Sequence, residues 1–158
     1  MFDNLFPQRI DNTYQGHKAA LWLFGLVVAL KITQSVAVIS SGYSTARDAD
    51  GIPLETVTPE AAKTAVALFA HGSLWRLTFG SLCALVLVRY RNAIPMMFAL
   101  LVLNYLAGEL IFQFAPLVRV GTPPGPIVNR IAFALMVIGL VLSLRGRAER
   151  SESGVRQQ

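Results

Sequence analysis

Cysteine and charge are both scarce in this sequence. Its single cysteine, Cys83, cannot form an internal bridge, which excludes a secreted scaffold held together by disulfides. Only 15% of the 158 residues are charged and 54% are hydrophobic, so the chain is too apolar to be disordered. It also carries more apolar surface than a soluble domain of this size buries. No nucleotide-binding glycine loop is present, which argues against ATP-driven transport by this chain.

The chain contains instead four long apolar stretches, each close to the 20 or so residues that a helix needs to cross a bilayer. The stretches are continuous rather than alternating, which favours helices over the strands of a membrane barrel. The predicted spans cover residues 19–39, 61–88, 95–115 and 126–144. The sequence therefore predicts an all-α fold, an integral membrane four-helix bundle.

Local signals indicate where the spans begin and how they are joined. Residues 11–13 supply candidate N-caps for the first span, Thr58 with the proline after it predicts the start of the second, and Pro126 that of the fourth. Residues 40–58 are expected to form a polar loop, and residues 121–125 a stiff turn.

The distribution of basic residues predicts an orientation. With both termini in the cytoplasm, eight Lys and Arg residues fall on the inner side and four on the outer side. This favours a multi-pass protein of a bacterial-type inner membrane. Residues 1–18 would form a cytoplasmic interfacial segment, and residues 146–158 a basic cytoplasmic tail. A cleaved signal peptide with a small-residue site at 35–37 is the alternative for the N-terminus, but that leader would be long and would contain acidic residues.

Away from the ends of the predicted spans lie three charged residues: Lys31 in the first, Arg76 in the second and Glu109 in the third. Near a span centre each opposes insertion by about 2.5–3.5 kcal/mol, so the three are expected to face the bundle interior. Counted from the cytoplasmic edge at about 1.5 Å per residue, all three lie about 18–20 Å deep. Their common depth predicts an intramembrane cluster of ion-paired side chains.

Other polar residues of the spans are expected to support this cluster with hydrogen bonds. They are Gln34, Ser35, His71, Asn104, Tyr105 and Gln113. Arg76 also lies between Gly72 and Gly80 at four-residue spacing, a row of small residues that predicts a close helix contact. His71 lies on a different face of that helix from Arg76 and is expected to be a hydrogen-bonded interior residue.

The predicted cluster leaves several functions open. Two cations and one carboxylate have a surplus positive charge, which a neutral Lys31, a bound anion or a partner's carboxylate would balance. The leading hypothesis is a non-enzymatic accessory or assembly subunit whose charges stabilise the bundle or dock a partner. The alternatives are a small transporter or ligand-binding protein in which Glu109 titrates, and a quinone-linked membrane subunit.

No catalytic residue, cofactor or metal site is predicted. The serines lack the glycine elbow and the histidine partner of a nucleophile. Haem would need a second axial ligand at the depth of His71, and His17 lies at the edge of the first span. The balance is therefore against an enzyme. The expected partners are the lipid bilayer and either another membrane protein or a second copy of the chain, and not nucleic acid.

Two short stretches suggest a family. The segment Gly25–Lys31, and Arg76 placed four residues before Gly80, resemble the pattern in DoxX-like small four-helix membrane proteins of bacteria. This resemblance would imply an accessory or redox-associated role.

Overall fold

The computed structural model describes residues 12, 14 and 16–155, with side chains described up to residue 145. Over this part of the chain the fold is all-helical and contains no strand. The four long helices are α1 (Lys18–Ser40), α2 (Pro59–Arg89), α3 (Ile94–Phe114) and α4 (Pro124–Val155). Each includes a stretch long and apolar enough to cross a membrane, so the predicted helical class and the four apolar helices are confirmed.

Capping chemistry explains where the helices begin. Thr58 caps α2 as predicted, because its Oγ1 accepts a hydrogen bond from a first-turn amide at 3.3 Å. The prediction for α1 is wrong: His17 caps that helix in place of residues 11–13, and its Nδ1 accepts from the Ala19 amide at 3.2 Å. α4 begins at Pro124, two residues before the predicted start, since the fixed φ of proline suits a first helical turn.

α4 continues well past its predicted end at residue 144. It runs to Val155, so most of the predicted polar tail is helical. The good helix formers Arg, Ala and Glu between residues 145 and 152 account for this extension. The side chains of the tail, and most of residues 1–18, for which an interfacial placement was predicted, lie outside the described part of the chain.

The helices pack in the spatial order α2, α1, α4, α3. α1 packs along both α2 and α4, and α3 packs mainly along α4, so α1 is the most central helix. In the core, the Phe24 and Phe98 rings meet edge to face with centroids 5.0 Å apart. Around them lie the other large buried side chains, among them Val27, Ile94, Met97 and Met136.

α3 is buried over its first half only. Ile94, Phe98 and Leu101 are buried, whereas every residue from 109 to 114 is exposed. The outward surfaces of the other long helices are also apolar, with exposed Trp22, Leu26, Trp75, Leu82 and Ile131. Apolar surface on this scale is rare on soluble monomers and typical of proteins in contact with lipid or a partner.

The connection between α1 and α2 is helical and packed, and the prediction of a polar loop is wrong here. It contains short helical turns at Gly42–Ser44, Thr45–Ala49 and Leu54–Thr56. Ala46 and Leu54 are buried against Ala62 of α2. These apolar side chains hold the segment on the helices and leave its polar residues outside.

The two longer connections of the fold contact each other. The Gly51 carbonyl accepts a hydrogen bond from the Val120 amide at 2.8 Å. Gly51 has a φ of +69°, which favours glycine, and a Cβ there would lie 2.9 Å from the Pro123 side chain. We call this end of the molecule the connection end. The opposite end, where Gly16 lies close to the Ser143 carbonyl, is the terminal end.

Candidate functional site

A polar contact links α1 to α4 in the interior of the fold. The Lys31 Nζ donates a hydrogen bond to the Asn129 Oδ1 at 2.9 Å, and the contact is partly buried. Lys31 shares its helix face with buried Phe24, Val28 and Ser35, which explains why it points towards the neighbouring helices. Asn129 was not predicted to take part, although its polar amide stands near the start of the fourth apolar stretch.

The residues next to Lys31 on α1 contribute less than predicted. Ser35 is buried, but its Oγ donates to the Lys31 backbone carbonyl at 2.8 Å and not to a charged group. Gln34 is half-buried on the same helix. Asn129, rather than Ser35, is therefore the side chain that the structure shows bonded to the ammonium.

Arg76 is exposed on α2, one turn from Gly80, and its positive charge acts on Lys31. A Cβ on Gly80 would lie 3.0 Å from Ile32, which sets the register of the antiparallel pair. By that register the Arg76 backbone lies about 7 Å nearer the connection end than the Lys31 backbone. The Arg76 guanidinium stands 5.8 Å from the centroid of the Phe69 ring. The two cations are therefore neighbours but not level.

Asp50, in the connection between α1 and α2, is the carboxylate on which Arg76 acts. Burial raises the pKa of the Asp50 carboxyl above its usual value, and the positive charges of Arg76 and Arg119 oppose that rise. Its Oδ1 lies 2.5 Å from where a Cβ on Gly125 would be, so the carboxyl rests against the first turn of α4. Sequence reasoning treated Asp50 as an ordinary loop acid because nothing local shows that this loop folds back.

Glu109 lies on an exposed part of α3, apart from the two cations. It lies beside the Tyr105 hydroxyl, and the positive charge of Arg130 on α4 also acts on that hydroxyl. The Tyr105 ring stacks on Phe133 of α4, with centroids 4.4 Å apart. Because α3 and α4 are antiparallel, this contact makes position 109 about level with Asn129, the partner of Lys31. Glu109 therefore shares the depth of Lys31 but faces another side of the molecule.

The predicted ion pair between these helices is not supported. Between residues 16 and 145 the ion pairs join Arg47 to Asp48 at 3.5 Å and to Glu55 at 3.2 Å, all in one connection. Lys31, Arg76 and Glu109 form none there. A common depth fixes the height of these residues along the helices and leaves the rotation and spacing of the helices open.

The remaining predicted residues are not brought to Lys31. Asn104 and Gln113 are exposed on α3, and His71 is exposed on α2 rather than interior. The predicted row of small residues makes contact at Gly80 but not at Gly72, around which no atom would lie within 4 Å of an added Cβ. The close contact between α1 and α2 is therefore present at Gly80 and absent at Gly72.

One buried polar atom lies near Arg76. Ser73, one turn before Arg76 on α2, is fully buried, and its Oγ has no hydrogen-bond partner among the described atoms. Such an atom is costly to leave unpaired and often marks the place of a bound water or ligand group. Across residues 16–145 no group of three His, Cys, Asp or Glu side chains is placed to hold a metal ion.

We call Lys31, Asn129, Arg76 and Asp50 the connection-end polar site. It holds two cations, an amide and one half-buried carboxyl, which together favour a bound anion over a bound cation. No protein-family model, no curated protein and no solved structure matches this chain. The resemblance to DoxX-like proteins therefore stays a prediction, and function has to be argued from the residues themselves.

Proposed function

We propose that this chain is an integral membrane protein that binds an anionic ligand at the connection-end polar site. The observation that carries the proposal is the pair of neighbouring cations, Lys31 and Arg76, of which Lys31 is bonded to a neutral amide and neither is ion-paired within residues 16–145. Two like charges in surroundings of low polarity repel each other. A bound carboxylate or phosphate would offset that repulsion.

The proposed membrane placement rests on the surface of the helices. All four long helices reach the length and hydropathy of a span, and large apolar side chains cover their outer faces. The proposed orientation keeps both termini in the cytoplasm of a bacterial-type cell, because this puts the larger share of basic residues inside. The connection-end polar site then lies towards the outer side of the inner membrane, in a four-helix bundle.

The partly apolar surroundings of Arg76 favour an amphiphilic anion as the probe. Arg76 is exposed on α2 beside Phe69 and close to exposed Leu68 and Trp75, so an anion with a hydrocarbon chain can meet charge and apolar surface together. Palmitate supplies both, and methyl palmitate is the matched compound without the charge.

The test is a thermal melt of the purified full chain in detergent, with added palmitate or methyl palmitate. We expect palmitate alone to raise Tm, and Lys31→Met and Arg76→Gln each to remove most of that rise. Arg47→Gln, which changes an ion-paired cation of the connection, is the control and should respond like the unsubstituted chain. Inorganic phosphate in a parallel series distinguishes a water-soluble anion from a lipid-like one. Equal shifts with palmitate and its ester, or unchanged responses in both variants, would contradict the proposal.

The accessory-subunit hypothesis is a second candidate, and the exposed half of α3 favours it. Glu109 and Gln113 stand there among exposed Leu110, Ile111 and Phe114. An exposed carboxylate in a membrane span is unfavourable unless a partner covers it. Arg130 lies near the same surface. In a two-fold dimer formed through this surface, Glu109 of each copy would face Arg130 of the other copy.

Cysteine cross-linking in native membranes tests this second candidate. Leu110→Cys should give a covalent dimer on mild oxidation, whereas Trp22→Cys, on the exposed face of α1, should not. The native Cys83 is buried and gives no background. Equal cross-linking at both positions would show random collision and exclude a specific α3 interface.

A further inference from the structure

A groove runs along the outside of α1 and α2 from the terminal end of the molecule, and none of its lining residues belongs to the connection-end polar site. It has a volume of about 600 Å³ and is lined by Leu21, Trp22, Gly25, Leu26, Leu87 and Arg91. Arg91 carries the only charge among these six residues. It lies in the short 3₁₀ turn, Arg91–Ala93, that joins α2 to α3.

The lining of the groove changes along the helix axis, from a charged residue at one end to apolar residues further in. Gly25 faces Leu87 across the α1 and α2 pair, so by the same register Arg91 is level with Leu21. Arg91 and Trp22 therefore mark the mouth of the groove, and Gly25 with Leu87 lies about one turn, or about 5 Å, further in. Arginine and tryptophan are favoured at the level of lipid headgroups, whereas small and aliphatic residues are favoured in the hydrocarbon.

Two local features keep the groove open and its charge in place. The Arg91 Nε donates a hydrogen bond to the Leu87 carbonyl at 3.1 Å, which anchors the guanidinium beside the end of α2. This bond uses one of the five N–H donors of the group. Gly25 forms part of the wall without a side chain, and a Cβ there would lie at an ordinary 3.5 Å from Leu87. A larger residue would extend into the groove.

We propose that this groove binds one anionic phospholipid, with an acyl chain along Gly25 and Leu87 and the phosphate at Arg91. The charge of Arg91 complements a phosphate, and the apolar wall begins one turn deeper, as in a phospholipid. Trp22 is 83% exposed at the mouth, where its ring covers the glycerol region of such a lipid. A packed protein helix would bring no phosphate and is the competing occupant.

Lipid titration of the delipidated full chain tests this proposal. Phosphatidylglycerol and phosphatidylcholine with identical acyl chains are added to the protein in detergent, and Tm is followed against lipid concentration. We expect phosphatidylglycerol to raise Tm at lower concentration than phosphatidylcholine. Arg91→Gln should need about fivefold more phosphatidylglycerol for half the effect, as expected for loss of one surface cation worth about 1 kcal/mol.

Two further variants complete the test. Gly25→Leu should weaken the response to both lipids because its side chain fills the groove, and it leaves the charge of Arg91 in place. Arg89→Gln, at the exposed end of α2, is the control and should keep the full response. The proposal is overturned if the two lipids act equally on the unsubstituted chain, if Arg89→Gln and Arg91→Gln lose the same amount, or if Gly25→Leu binds like the unsubstituted chain. Lys31→Met should keep the lipid response, which separates this site from the proposed function.

Discussion

The Lys31 ammonium and the Asn129 amide join residues that are 98 positions apart in the sequence, through one hydrogen bond of 2.9 Å. The bond crosses from α1 to α4, the first and last long helices of the fold. It gives a partly buried cation a neutral acceptor, so the contact satisfies the hydrogen-bonding need of the ammonium without cancelling its charge. The hydrogen bond of this lysine and its charge can therefore be tested separately.

Replacing these two residues singly and together should reveal their coupling. Asn129→Leu leaves the ammonium without this acceptor, and Lys31→Met leaves the amide unpaired, so each should lower the free energy of unfolding. The double variant should be less destabilised than the sum of the two, with a coupling of about 1 kcal/mol. Equilibrium unfolding in mixed micelles measures all four proteins. Additive losses would mean that the bond does not contribute.

Gly51 and Gly121 form a matched pair for testing how the connections dock. Both have a left-handed backbone, with φ of +69° and +73°, so alanine strains either position by about 1–2 kcal/mol. A Cβ at Gly51 would also lie 2.9 Å from both Pro123 and the Val120 carbonyl, whereas a Cβ at Gly121 would have no atom within 4 Å. Gly51→Ala should therefore lower Tm clearly more than Gly121→Ala. Equal shifts in thermal melts would argue against tight docking.

Gly80 and Gly72 allow the same comparison on the helix surface. A leucine at Gly80 would collide with Ile32 and should destabilise the fold by about 1–3 kcal/mol. A leucine at Gly72 would enter open space and should change stability by less than about 0.5 kcal/mol. Both variants gain the same helix propensity, so the difference in unfolding free energy isolates the contact between α1 and α2. A larger loss at Gly72 would contradict the packing.

Asp50 should make stability depend on pH. Its pKa is raised in the folded protein, so the folded state binds the proton more tightly than the unfolded chain does. The associated stability is complete below the ordinary value of 3.8 and is lost as the pH rises through the folded pKa. Asp50→Asn stays neutral, so its Tm should rise relative to that of the unsubstituted chain as the pH increases above 3.8. Asp48→Asn, at an exposed acid nearby, is the matched control for the loss of one carboxylate.

The sequence predicted those features of the fold that depend on a single local property, such as hydropathy or a capping side chain. Hydropathy alone predicts four long helices, because apolar runs of this length have few other solutions. The capping hydroxyl of Thr58 likewise predicts the start of α2. The extension of α4 to Val155 was missed because the boundary was drawn where hydropathy ends, although helix propensity continues.

The site was only partly predictable, for a physical reason. Lys31 and Arg76 were identified as unusual charges, and the structure places them near each other. Glu109 was assigned to them on its depth and on the polar face that it shares with Tyr105 and Gln113. Neither property fixes the rotation of α3 or the exposure of its second half. The charge of Arg76 acts on Asp50 because the connection is held against α2 by buried Ala46 and Leu54, a tertiary contact that no local pattern reveals.

The hydrogen bond between Gly51 and Val120 has a consequence for how the fold comes apart. α1 with α2, and α3 with α4, form two hairpins whose loops are held together by that bond at one end of the molecule. At the other end the hairpins are covalently joined through Tyr90–Ala93. Separating the two hairpins breaks both the loop contact and the bond between Lys31 and Asn129. The hairpins should therefore unfold in one cooperative step rather than one after the other.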